Sequence, residues 1–513
     1  MKTRWKILLG VVIFLAIFIG VWLLNAHVQP ENAVEAYKKE LLAKGEKLEI
    51  GEMIPASVPE AENGAIIVTR AAKSMGTGKV PMPTFMKEIV PGKGMPGWLQ
   101  PMVSNLSSTN TWENVRSLVA ANRPVTQLLQ QILKQPRFDF HLDYTNLLDY
   151  SNSWRTSHAH FADIVKCREL LCVTVESDLY AGDIDIATTN LCVLLALAHG
   201  EESERLRESQ LYKGLTLHFA TGLTWDYLQS SNVTGPELEV LQKSWEQQQF
   251  FEPLEKAYAM DRIEMSRKIE RMRHSPAEFY GFLDFHYDLA HFSARSPGEK
   301  LRFRVEETMW RDSWSFYEQL RLLRRSQIML ETLRSMETNE YCRLEYDAMT
   351  NRLSAPDLAN DGDALYRTLN IDDFSSLFEM NTEPRPVLVA IFNETKKRMV
   401  VTAIALKKFQ LANGHLPAGL SELVPQFIAS VPADTMDGKP LRYRPNLDGT
   451  FLLYSVGDNG VDDGGNPTNL DSGIKTSSIY WANPKARDWV WPQPASVAEV
   501  EKYYAEEAAK SSK

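Results

Sequence analysis

Residues 433–463, ADTMDGKPLRYRPNLDGTFLLYSVGDNGVDD, contain the segment around which the rest of the chain is most readily ordered. Leu441 and Tyr443, then Phe451, Leu453 and Tyr454, form two short strand-like runs. Asn446 to Gly449 supplies the turn between them, because Asp-Gly accepts the positive φ of a tight hairpin. The loop that follows is dense in Asp, Asn and Gly. It can bend sharply and aim hard oxygen ligands at one point, as calcium requires. The same side chains can instead close Asx-turns on their own backbone.

Moving upstream, Arg398 to Asn413 is an amphipathic helix carrying Val401, Ile404, Ala405, Phe409 and Ala412. Asn413 and Gly414 supply its C-cap, and Pro417 blocks continuation. A short helix, Gly419 to Val424, precedes the hairpin. In this order the segments ALKKFQLANGHLP, GLSELVP, VPADTMDGKPLRYRP, FLLYS and GDNGVDDGG resemble the globular domain of type II secretion major pseudopilins, over Arg398 to Trp481. The resemblance implies a small α+β domain held together by calcium. It places the ligands among Ser455, Asp458, Asn459, Asp462, Asp463 and Asp471. Asn459 stands where the family has a ligand Asp, which removes one charge. The family also joins its domain directly to an apolar helix that carries a glutamate. Here the apolar N-terminal run has no acid and a long chain intervenes, so filament assembly does not follow.

That intervening chain reads as helical from Trp112 to about Thr350. Phe161 to His199 forms a helical hairpin joined by AGDIDIA, in which Gly182, Asp183, Ile184 and Ala187 resemble the turn of tetratricopeptide-like repeats. Further pairs are expected over Leu211–Gln229, Pro236–Gln249 and Pro253–His274. Together they would build an array with a concave binding surface. Met309, Phe316, Leu320, Leu323, Leu330 and Leu333 fall on one stripe of a long helix, which leaves Arg321, Arg324 and Arg325 on a solvated face.

At the N-terminus, Ile7 to Leu24 is uninterrupted and apolar. As a helix it spans roughly 27 Å, enough for a bilayer. Lys2, Arg4 and Lys6 precede it, and Trp5 and Trp22 sit at interfacial depths. A cleaved signal peptide is the alternative, although Leu24-Asn25-Ala26 is a poor cleavage site. Either way, the bulk of the chain is expected on the extracytoplasmic side of a bacterial inner membrane. Gly51 to Pro101 is rich in proline and glycine, but Ile66, Ile67, Val68, Phe85, Ile89, Val90 and Trp98 favour a wrap over the next domain rather than a free spacer.

The expected fold class is therefore mainly α: a transmembrane helix, a helical-hairpin body and a small α+β C-terminal domain. The expected divisions are 1–26 (anchor), 27–110 (short helix and wrap), 111–390 (helical array), 391–494 (α+β domain) and 495–513 (charged tail). A net charge of −10 supplies no basic footprint for nucleic acid. The four cysteines, Cys167, Cys172, Cys192 and Cys342, lack CxxC or zinc spacing and read as small core residues.

No GxSxG, HExxH or Walker motif is present. His158, His160 and Asp163 are too closely spaced on a helix to share a metal readily. Asp284, His286, Asp288 and His291 form the densest cluster of titratable groups. The leading expectation is an anchored envelope protein whose helical array binds a protein or peptide. The first alternative is a hydrolase of envelope polymers acting through Asp284, His286 and Asp288. The second is an accessory subunit of a type II secretion or pilus-like machine.

Overall fold

The computed structural model describes residues 29–75, 80, 85–100, 111–145, 159–286, 296–355, 382–468 and 487–511. Residues 7–24, His158, Asp288, His291 and Asp471 lie outside these. Among the described residues no helix is long and apolar enough to cross a membrane.

The protein is mainly α, with two small sheets. Helix α1 (29–43) leads into α2 (Gly64–Ser74). A hairpin follows, β1 (Lys87–Val90) and β2 (Lys93–Met95), and then α3 (Trp112–Ala121) and α4 (Arg123–Leu129). The body comprises α5 (Ala159–Ala181), α6 (Ile184–Gly200), α7 (Arg207–Leu228), α8 (Gly235–Glu246), α9 (Phe251–His274) and α10 (Pro276–His286). It continues through α11 (Pro297–Met309), α12 (Ser315–Met336), α13 (Cys342–Leu353) and α14 (Arg385–Asn413). Strands β3 (Arg442–Pro445), β4 (Phe451–Ser455), β5 (Trp489–Trp491) and β6 (Gln493–Pro494), then helix α15 (Val497–Ser511), complete the chain.

Local chemistry explains the main turns. Helix α5 stops at Gly182, whose φ of 79° suits glycine, and the chain reverses into α6. Helix α8 starts with a capping box between Thr234 and Glu237, with Pro236 in the first turn, where its missing N–H costs nothing. Helix α14 begins at Arg385, well before the expected Arg398, for the same reason: Pro386 sits in its first turn. Asn63 caps α2, accepting the Ala65 N–H at 3.0 Å, and α2 fits the proline-free gap between Pro59 and Pro81.

The largest core draws on residues from Ile50 to Trp491, while Met265 to Leu322 form a second cluster and α1 with Phe316, Leu320 and Leu323 a third. Helices α5, α6 and α7 pack on one another, α14 lies against α7, α8, α9 and α13, and α2 covers α5. From the Pro/Gly-rich stretch, Ile67, Val68 and Ala71 enter this core. The hairpin β3–β4 pairs Arg442 with Tyr454 through Pro445 with Phe451, and β5 adds antiparallel to β4. Strand β6 then pairs in parallel with β2, and Trp225 Nε1 donates to Pro492 O at 2.7 Å. Segments near residues 94, 225 and 493 are thereby stitched together.

Two buried charge clusters hold the outer segments. Asp226, fully buried, accepts the N–H groups of Met86 (3.1 Å) and Gly97 (3.2 Å) and lies against the buried Glu176. Glu46 closes α1 onto α9 and α12, receiving Arg262 Nη2 (3.1 Å), Gln327 Nε2 (2.9 Å) and both terminal nitrogens of Arg334. Val34 and Leu41 pack against Phe316, Leu320 and Leu323 in the same contact.

The expected arginine face of 309–333 is not solvated. Arg321 is 8% exposed, and Arg325 donates to Thr382 Oγ1 and Leu353 O at 2.8 and 3.1 Å. Helix α12 is covered by α9, by α13 and, through Phe316, Leu320 and Leu323, by α1, so the face that carries Arg321, Arg324 and Arg325 is buried or half-buried. The stripe is also interrupted by a π-turn at Trp310–Trp314. The four cysteines are buried and unpaired.

Candidate functional site

Each described candidate ligand of the acidic loop is committed to a nearby group. Ser455 Oγ donates to Asp434 Oδ1 at 2.8 Å, and the Val456 N–H donates to Asp434 Oδ2 at 2.9 Å. Arg442 stands among Asp434 (3.1 Å), Asp437 (3.0 Å) and Asp462 (3.6 Å). Asp458 receives Arg343 on its carboxylate, and the same guanidinium reaches its carbonyl oxygen at 2.8 Å. Asp462 accepts from Tyr454 Oη (2.9 Å) and the Gly464 N–H (3.1 Å). Asp463 accepts from Asn459 Nδ2 at 2.9 Å, while Asn459 Oδ1 takes the Val461 N–H at 3.1 Å.

The anchor of this loop is Asp488, which sequence reasoning did not single out. It is fully buried and accepts the N–H groups of Asp463, Gly465 and Asn466 at 3.3, 2.8 and 2.8 Å. Burial pushes its carboxyl up even though those three donors oppose the shift. Calcium takes six to eight oxygens around one centre. Here the cationic positions belong to Arg343 and Arg442, and among the described residues no three His, Cys, Asp or Glu side chains form a group that could hold a metal ion. As arranged, the described ligands do not fit the ion, and binding would require those guanidinium groups to leave.

Among the described residues, the surroundings of His160 offer no activated nucleophile. His160 Nε2 lies 3.1 Å from Glu204 Oε2, and Ser209 Oγ donates to the same oxygen. The carboxylate stands between serine and histidine, whereas activation of a serine needs the imidazole in that place. Asp284 and His286 sit in the last turn of α10, with their side chains outside the described set.

One concave feature is a groove of three adjoining depressions. The central one, about 610 Å³, lies between the straps 54–58 and 136–144, the end of α6 and the start of α9. On one side it shares Ile54, Pro55, Ala56, Arg205 and Lys256 with a depression of about 440 Å³ that reaches Lys47 and Arg334. On the other it shares Asp139, Phe140 and His141 with one of about 500 Å³, floored by Ile66, Thr69, Arg70 and Lys73 of α2.

Close packing fixes the strap that runs through this groove. A Cβ on Gly64 or Gly200 would come within 2.4 or 2.3 Å of the Phe138 ring, so the ring seats only between glycines. Asn63 accepts the Asp139 N–H (3.0 Å) and donates to the Asp139 carbonyl (2.8 Å). The Asp139 carboxylate takes the N–H groups of Val58 (3.3 Å) and His141 (2.8 Å), joining the two straps. Ser203 Oγ donates to Phe138 O at 2.9 Å. The N–H and C=O of Phe140 and the N–H of Leu142 bond to no described residue.

The charges along the groove are unevenly matched. Glu202 meets His199 (3.0 Å) and Lys213 (2.6 Å); burial acts most strongly on its carboxyl and raises it, but these partners bring it below the usual range. Arg205 bonds only to carbonyl oxygens, of Met53 at 3.3 Å and Ser203 at 2.9 Å, and burial lowers its pKa. Arg70 and Lys73 are exposed, one turn apart on α2. Among the described residues none of these three cations has an ion-pair partner.

No protein-family model, curated protein or solved structure matches the chain.

Proposed function

We propose that this chain is a single-pass protein of the bacterial inner membrane, anchored through residues 7–24, whose extracytoplasmic helical body binds an extended segment of a protein partner in the groove. The observation that carries this reading is the continuity of the three depressions along a strap with unpaired main-chain groups at Phe140 and Leu142. An extended peptide presents complementary N–H and C=O groups, and the recesses on either side accept alternate side chains. The α5–α6 hairpin with its glycine turn supports a tetratricopeptide-like ancestry for the body. The sequence of helix, short turn and hairpin over 398–455 supports a pseudopilin-like terminal unit.

The reading is tested by panning a displayed library of random dodecapeptides on the purified, detergent-solubilised chain. Selected peptides should bind less well to Leu142→Arg, and less well when their own alternate main-chain nitrogens are methylated. A library that yields nothing overturns the groove as a peptide site.

Calcium on the 455–471 loop rests on the pseudopilin likeness alone. Melting of the whole chain with calcium and then with chelator tests it. Saturation at a hundred times the dissociation constant adds about 2.7 kcal/mol, which moves a chain of this size by a few degrees. A rise that disappears in Asp458→Ala and Asp462→Ala supports the ion. An unchanged melt assigns the loop to its arginines and Asx-turns.

A further inference from the structure

We infer that the groove's partner segment is acidic, with carboxylates seated on Arg70 and Lys73 at one end and on Arg205 near the middle. This rests on the groove reading above and specifies its ligand. The chain carries a net charge of −10, yet the groove presents Arg70, Lys73 and Arg205, none of which has a described carboxylate in ion-pair contact, although Glu252 and Glu255 act on Arg205 from farther away. Most other cations of the groove are matched: Lys256 pairs with Glu252, Arg137 with Glu62, and Arg262 and Arg334 with Glu46, while Lys47 bonds to the Glu52 carbonyl.

The geometry of the three suits carboxylates. Arg70 and Lys73 are three residues apart, so they share one side of α2, where they line the depression with Thr69 and His141. Two such cations bracket one anionic group. Arg205 lies where the central and second depressions meet, partly buried, with its guanidinium held in place by two carbonyls. A preoriented guanidinium that no described carboxylate touches is well placed to take a bidentate carboxylate, and the charge-assisted bonds would be strengthened by the partial exclusion of water. The unpaired main-chain groups of Phe140 and Leu142 lie between these points, which favours a peptide over a lipid headgroup as the source of the anions.

The test extends the panning experiment to the composition of what is selected. Peptides enriched on the wild-type chain should carry Asp or Glu at two separated positions, and their binding should weaken as salt is raised. On Arg70→Glu/Lys73→Glu one of the two acidic positions should lose its bias, and affinity for the wild-type peptides should fall about tenfold or more. Arg205→Met should remove the other bias; because Arg205 is partly buried, a melting curve accompanies it, and the exposed Arg70/Lys73 pair decides the matter if that variant does not fold. Enrichment without acidic bias, or bias indifferent to all three cations, overturns this inference and leaves the groove reading standing. No enrichment at all removes both. Binding to phosphatidylglycerol vesicles through the same cations, with no peptide selected, replaces the peptide by a lipid and also overturns the inference.

Discussion

Glu46 shows how much one side chain carries. It is 5% exposed and serves two arginines, one of which, Arg262, is itself buried. Glu46→Ala should cost about 3–5 kcal/mol, because it takes away the carboxylate bonded to Arg262; an unfolding free energy from denaturant titration that falls by less than a tenth of that would refute this account. Burial is the largest influence on this carboxyl and raises it, yet Arg334, Gln327 and Arg262 together bring its pKa down to about 2. Its contribution is therefore full above the ordinary glutamate pKa near 4.3 and is lost as pH falls toward 2. Glu176 and Asp226 behave in the opposite sense. Burial raises both carboxyls, and their mutual proximity raises Glu176 further, so the pair keeps a proton at a pH where both are ionised in the unfolded chain. Stability from this pair is complete below pH ~4 and declines as pH rises through the native values. Glu176→Gln preserves the shape and removes the proton, so its melting temperature should fall less between pH 5 and pH 8 than that of the wild type. An identical slope in the two proteins would show that other buried acids, such as Glu264 and Glu201, set the pH dependence.

At the scale of elements, the strap 136–144 is the part whose placement matters most to the groove. Gly200→Ala should push the Phe138 ring out of its seat at a cost of about 1–3 kcal/mol, and should reduce peptide binding more than it lowers the melting temperature. Adding Phe138→Leu makes room for the new methyl group and should recover part of the loss; no recovery would mean that the glycine acts on the backbone of α6 rather than through the ring. The sequence revealed some elements clearly and others not at all. The α5–α6 turn was legible because Gly182 demands a left-handed residue at the end of an apolar helix. The β3–β4 hairpin was legible from Asp448-Gly449. The start of α14 was misplaced because a proline in the first turn resembles a break. The arginines of α12 were misread as solvated because their coverage comes from elsewhere in the chain, including Tyr37 beneath Arg324 and Thr382 beside Arg325. The loop carboxylates could be identified, but their arginine partners Arg343 and Arg442 lie on separate elements, and local spacing gave no sign of them. The groove was invisible for the same reason: residues near 55, 70, 140, 205 and 256 form it together.

Across the whole molecule, Trp489 and Trp491 sit in the same core as Ile67 and Leu171. A chain stopped just before Trp489 should therefore lose its near-ultraviolet circular dichroism and bind a hydrophobic dye, while keeping most of its helical signal. Retention of a sharp near-ultraviolet spectrum would show that the body closes without its last strands. The pairing of β2 with β6, and of Trp225 with Pro492, also has a consequence for synthesis. Residues near 94 and 225 emerge from the ribosome long before their partners near 493, and contacts this distant along the chain cannot form until roughly 270 to 400 further residues have been made. During that interval the surface of α7 around Trp225 and the β1–β2 hairpin lacks its cover. Biogenesis of this protein should thus depend on a holding chaperone, and slowing translation should lengthen that exposure rather than help the chain to fold.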